Sequence, residues 1–485
     1  ITNAGNFSTD GGTIKLDGNY PTGTNNVALG DTALDSGSLS GASNTAIGSA
    51  ALSANTSGAF NAALGDSSLL NNTTGGCNTA LGGVSLCVNT TGCRNTAVGR
   101  QALRKNETAC DNTAVGFQAL ACNTTGADNT SVGLCSLTAN TTASNNVAVG
   151  SAALKLNTTG ANNVSVGRQA LCSNTTATCN TGIGDRTLCA NTTGANNTAV
   201  GSFALCTNTT ASNNTAVGKN SLTANTTGAD NTSVGLCSLT ANTTGAKNIA
   251  IGSCALQKNT TAGENVGIGQ QALQCNVTGI HNTGIGAGAL LKNTDCRNVA
   301  IGYHSLLCNT SGESNTAIGY NSLDANTTAD NNTAIGRDSL TANTTGTENT
   351  VVGTCAGTAI TTGCRSTAIG FCALSSNQTG KNTAVGWRSG RSLTSDGNTS
   401  VGIFSLAGSA GNYNTAIGQS ALYVNTGANN TAVGYTALQC NSTASNNTAL
   451  GFCALFNNTT GTQNTAVGAN ALDANTTADN NTAVG

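Results

Sequence analysis

Cysteine is the one reactive residue present in quantity in this 485-residue chain, with 20 copies against only two histidines, His281 and His304. Many recur at one interval: Cys172, Cys189 and Cys206 lie 17 apart, as do Cys237 and Cys254, and Cys355 and Cys372. If each interval is one layer of a stack, paired sulfurs sit on layers ~4.8 Å apart, inside the Cα separations that a disulfide accepts. Cys87 with Cys93, or Cys172 with Cys179, could instead close a turn within one layer, and spacing leaves both connectivities open. Oxidised pairs would place the chain outside the reducing cytosol. A metal site or other cofactor is not expected, because no Cys-x-x-Cys occurs and the two histidines have no ligand-spaced partners.

Catalysis finds even less. No Gly-x-Ser-x-Gly elbow occurs, and Asp66, Glu107, Glu264 and Asp338 are scattered variants rather than a converging pair. The expectation is that the chain is not an enzyme. Asn-x-Thr sequons abound, and Asn123, Asn157 and Asn259 are candidate glycosylation sites if their turns bulge outward.

What positions these residues is a short repeat. From Gly30 to Gly485, 28 glycines close an Asn-x-small-aliphatic-Gly phrase; of the 27 intervals 21 are 17 residues, five are 16 and one is 18. A period this short means one supersecondary unit stacked on itself, too small for two helices but sufficient for two short strands and two tight turns. The expectation is an all-β parallel β-solenoid of about 17 residues per coil and about 27 coils. A shaft roughly 130 Å long follows from ~4.8 Å per step.

Each column has its own chemistry. The residue before the glycine is always Val, Ile or Leu, and the residue four after it is Leu in 25 of 27 coils. Val98, Leu103, Val115, Leu120, Val132 and Leu137 are therefore the expected core, with Thr113 turned inward beside Val115. Alternation then sends Ala114 to the opposite face. That column is Ala, Ser or Gly in 27 of 28 copies, a smallness that suggests close approach of a neighbouring solenoid. Asparagine occupies two turn columns, as at Asn95, Asn112 and Asn129, and at Asn106, Asn123 and Asn140. Identical amides on successive layers can bond into ladders along the axis.

Charged residues are 8% of the chain and the formal net charge is −2, which supplies no field for nucleic acid. No apolar run approaches the ~20 residues of a membrane-spanning helix, so no insertion is expected in this segment. A start at Ile1 and a stop in mid-phrase suggest a piece of something longer. Residues 1–24 do not keep the phrase and are expected to form a cap or junction. Residues 25–485 form the shaft, with irregular coils at about 354–413, where Gly357 and Gly390 replace the core leucine and Ile360, Leu393 and Ser409 replace the turn asparagine. Trp387 lies there beside Arg388 and Arg391.

The iterated Asn-Thr-Ala-Val/Ile-Gly phrase, over about residues 25–485, resembles the head repeat of trimeric autotransporter adhesins, the YadA-like left-handed β-roll, and related phage and large-virus fibres. This chain has a longer turn, built around Asn-Thr-Thr-Gly, and more cysteine than that family's usual repeat. The resemblance implies three chains packed side by side and attachment to host surfaces. The expected role is an extracellular fibre shaft, on a cell or virion, that adheres through many repeated contacts to a glycan or matrix receptor. A structural filament without a receptor and an ice- or crystal-binding solenoid are the alternatives, the latter disfavoured by an inward Thr column.

Overall fold

The computed structural model describes residues 24–408 and 410–485, so the expected cap, apart from Thr24, and the ladder substitution at Ser409 lie outside the described residues. The chain forms two compact units, Ile1–Gly245 and Ala246–Gly485. Each is a parallel β-solenoid with one three-residue strand per coil. The first contains β1 (Val27–Leu29) through β13 (Thr232–Val234), and the second β14 (Ile249–Ile251) through β28 (Thr482–Val484). Neighbouring strands pair parallel and in register, so that like stacks on like: Thr113 on Thr130, Ala114 on Ser131 and Val115 on Val132. The same holds in the second unit, where Thr316, Ala317 and Ile318 stack on Thr333, Ala334 and Ile335.

The expected second strand of each coil is a turn instead. Two and four residues after the phase glycine the backbone is left-handed, at φ 55° for Gln118 and 53° for Leu120, which an extended strand cannot include. A leucine in that conformation costs roughly 1–2 kcal/mol, and full burial of its side chain returns roughly 1.5–3 kcal/mol. The turn also bonds along the axis in both directions: Gln118 N–H donates to Arg100 O at 3.1 Å and Leu120 N–H to Ser136 O at 3.0 Å. Phase glycines stack backbone on backbone. At Gly133, φ +138°, an added Cβ would lie 2.5 Å from the carbonyl oxygen of Gly150 and 2.6 Å from its carbon.

The strand faces are the reverse of the sequence expectation. Leu103, Leu120 and Leu137 are fully buried, but so are Ala97, Ala114 and Ser131, and it is these small residues that share the interior with leucine. Val98, Val115 and Val132 point to the other side with Thr113 and are only partly covered. The middle residue is buried in every strand but β1 and β28, and no flanking residue is buried in any strand. The reason is room. Even the Cβ absent at Gly182 would lie 3.4 Å from Leu171 Cγ, and the one absent at Gly267 would lie 3.2 Å from Leu256 Cγ. A regular coil this narrow holds one large aliphatic side chain between its small strand residue and its turn, and leucine takes the place.

Candidate functional site

Two buried asparagine ladders hold the coils in register. In the first column the amide oxygen accepts the next layer's backbone, as Asn112 N–H donates to Asn95 Oδ1 at 3.0 Å and Asn129 N–H to Asn112 Oδ1 at 3.0 Å. In the second the side chains bond each other, Asn123 Nδ2 donating to Asn106 Oδ1 and Asn140 Nδ2 to Asn123 Oδ1, both at 2.8 Å. The Nδ2 groups of Asn112 and Asn123 also converge on one carbonyl, Gly126 O, at 3.0 and 2.8 Å. Both amide hydrogens and the amide oxygen of the Asn123 side chain are thereby hydrogen-bonded, as a buried amide requires. The expected ladder positions Asn95, Asn106, Asn112, Asn123, Asn129 and Asn140 are all fully buried.

That geometry removes the candidate glycosylation sites. Asn123, Asn157 and Asn259 are fully buried. Their Nδ2 atoms donate at 2.8 to 2.9 Å to Gly126, Gly160 and Ala262 O, leaving no space for an attached sugar. The turn folds inward because its asparagine is the ladder. The following threonine is engaged as well, Thr124 Oγ1 donating to Thr141 O at 3.0 Å.

The surface left over is an array of outward side chains on the strands. Of the 28 strands among the described residues, 21 begin with Thr and all end in Val, Ile or Leu, with no charge at either position. Ile183, Val217, Ile251, Ile335 and Ile417 are each more than one-third exposed. The signal for this face was present in the sequence, in the pairing of a small strand residue with a leucine six positions later in 25 of 27 coils, which together fill one layer.

Among the cysteines, all 20 are free thiols. Same-phase neighbours nevertheless approach one another. Cys172 Sγ and Cys189 Sγ are 2.9 Å apart, and Cys93 N–H donates to Cys110 Sγ at 3.1 Å. The Cys189 thiol hydrogen bond holds Cys172 down at about 6, and the same bond, with burial, pushes Cys189 up. Burial also raises Cys87, Cys206 and Cys372, the last with a contribution from Cys355 one layer away. Cys179 is exposed in a different turn of its coil. Cys237 and Cys254 belong to different units.

Exposed chemistry is sparse elsewhere. Arg94 pairs with Asp111 on the next layer at 2.6 Å, and Glu264 bonds His281 at 2.7 Å with Lys247 at 3.5 Å on its other side. In the irregular coils the Arg388 guanidinium lies 4.6 Å from the Trp387 ring and 6.0 Å from that of Phe404. Phe371 and Trp387, one layer apart, are stacked with centroids 6.5 Å apart. Among the described residues no three His, Cys, Asp or Glu side chains gather into a metal site, and no helix is long and apolar enough to cross a membrane. No protein-family model matches this chain, and comparison with curated proteins gives no match.

Proposed function

We propose that the chain is the shaft of an extracellular fibre in which copies pack through their Thr-x-Val/Ile faces, most simply as the homotrimer of the YadA-like heads. The observation that carries this reading is the uncharged outward face. With ~10 Å of strand and ~4.8 Å per layer it spans roughly 600 Å² in the first unit, as large as the biggest apolar patches on soluble monomers. It approaches the ~800 Å² per partner of a standard interface. A row of β-branched side chains with no gatekeeping lysine invites association. A second copy of the same face is the one partner whose spacing matches it layer for layer.

In this reading the protein is a non-catalytic scaffold on a cell or virion surface. Adhesion to a glycan or matrix receptor arises from many weak identical contacts on the turns that remain outside the trimer. Sedimentation equilibrium of the recombinant chain tests it: a mass three times that of the chain is expected, and a stable monomer would contradict it. Loss of cell or glycan binding on deletion of whole coils would separate an adhesin from a bare structural filament.

Ice binding is a second reading, favoured by one observation. The threonine column, expected inward, faces outward on 21 strands at the layer spacing. It competes with trimerisation for the same face, so thermal hysteresis activity from a monomeric chain would favour it, and none would remove it.

A further inference from the structure

Cys172, Cys189 and Cys206 occupy one phase of three successive coils in the first unit, five residues after Gly167, Gly184 and Gly201. Each is half-buried and therefore reachable by a small reagent. Cys172 and Cys189 already touch, sulfur to sulfur at 2.9 Å, and Cys172 Sγ is also 3.4 Å from the Cys189 carbonyl oxygen. We propose that this column is an oxidation site, at which a small disulfide oxidant such as oxidised glutathione joins Cys172 to Cys189 across adjacent coils, with Cys206 as exchange partner.

Layer spacing supports the bond without backbone movement, because ~4.8 Å between paired layers lies within the Cα range of disulfides. The two sulfurs also have unequal roles. Cys172, with its thiolate stabilised by the Cys189 S–H, is the attacking group at neutral pH. Its thiolate displaces one glutathione thiolate from the oxidant, which takes up the proton that Cys172 lost. Capped in the mixed disulfide, Cys172 no longer carries the charge that held Cys189 protonated. Cys189 then ionises and attacks the Cys172 sulfur, expelling the second glutathione thiolate, which takes the Cys189 proton. Two thiols are oxidised by two electrons and one glutathione disulfide is reduced to two thiols. A later attack by Cys206 on the Cys189 sulfur would shift the bridge one layer and release Cys172.

The sequence makes the test clean. Trypsin cuts after Arg168, Arg186 and Lys219, so Cys172 and Cys179 share one peptide and Cys189 and Cys206 share the next. The reduced full chain is exposed to oxidised glutathione at pH 7, alkylated and mapped without reduction. The expected product is a covalent pair of peptides 169–186 and 187–219 that survives in C179S and C206S and vanishes in C172S. It should also raise the protection of coils 167–201 in hydrogen exchange. An internal bridge within 169–186, which joins Cys172 to Cys179, or a Cys172 that stops at the glutathione adduct in both wild type and C206S, would overturn the proposal. So would loss of the linked pair in C179S.

Discussion

The first unit and the coils around 354–413 of the second solve the same packing problem in two ways. In the first unit every ladder asparagine from Asn55 to Asn242 is present, and the side-chain bond recurs from Asn72 to Asn55 through Asn242 to Asn225. Each coil also carries a buried leucine, as Leu120 and Leu137 do. In the irregular coils the leucine becomes Gly357 or Gly390, still left-handed at φ +59° and +57°, and the large side chain reappears three residues later as Ile360 or Leu393, both fully buried. The aliphatic volume has moved from the turn into the ladder position. Room follows it. Val351, the one large residue of the small column, fits because Gly357 vacates the site, and an added Cβ at Gly357 would meet Val351 Cγ2 at 3.3 Å and Ile360 Cδ1 at 3.2 Å.

The exchange has a polar cost. Asn343 Oδ1, which would accept from the next layer, is buried without a partner beside Ile360, and Asn377 Nδ2 is likewise unpaired between Ile360 and Leu393. All five 16-residue intervals also fall in the second unit, and the first of them, Gly286 to Gly302, follows the unpaired Asn276 Oδ1. The difference teaches that a coil that loses its leucine also gives up the ladder amide, as at Gly357 with Ile360 and Gly390 with Leu393, whereas the amide alone can be replaced, as by Ser409 in the coil of a still-buried Leu406.

The largest expected effect tests what the two regions share. Gly133→Ala in the regular coils and Gly402→Ala in the irregular ones both push a Cβ into the next coil's backbone, Gly150 and Gly418 respectively. Each should cost about 3–5 kcal/mol, read as local loss of hydrogen-exchange protection, and a large difference between them would break the comparison. Next, Asn123→Ala removes the bond to Asn106 Oδ1 and strands the donor of Asn140. Opening of those coils should become easier by about 2–4 kcal/mol. Asn377→Ala, already short of a partner, should cost clearly less in the same measurement.

A transplant sharpens the point. Leu120→Gly and Asn123→Ile should each destabilise, whereas the double variant should recover about 1–2 kcal/mol of coupling in a double-mutant cycle. Strict additivity would mean that the two positions are independent. The smallest effect belongs to the surface pair Arg94–Asp111. Arg94 holds the Asp111 carboxyl below the usual carboxylate range. Its contribution is therefore present above the unfolded value near pH ~4 and disappears as pH falls through the lowered folded one. Arg94→Ala should barely move a melt at pH 7 and should remove what little acid sensitivity these coils owe to the pair.

Much of this architecture was legible in the residues. Period, parallel stacking, the leucine column and both asparagine ladders follow from phases kept through 28 repeats, since only a stacked layer makes one amide face its copy. The strand orientation was not legible from alternation, because alternation states which residues share a face and not which face is inside. Val115 is the more apolar of the pair, yet Ala114 goes in, because Leu120 already fills the layer. The buried sequons failed for a related reason: Asn123-Thr124-Thr125 reads equally as an outward loop until the carbonyl of Gly126 is seen to draw the amide inward.

Orientation is what the account stands on, and three successive layers can decide it. Aspartates in place of Ala114, Ser131 and Ala148, compared with aspartates in place of Val115, Val132 and Val149, are to be followed by hydrogen exchange for the fold and by sedimentation for self-association. The account predicts that the first set unfolds those coils, while the second leaves their protection intact and weakens association. Intact coils in the first set and unfolded coils in the second would contradict it.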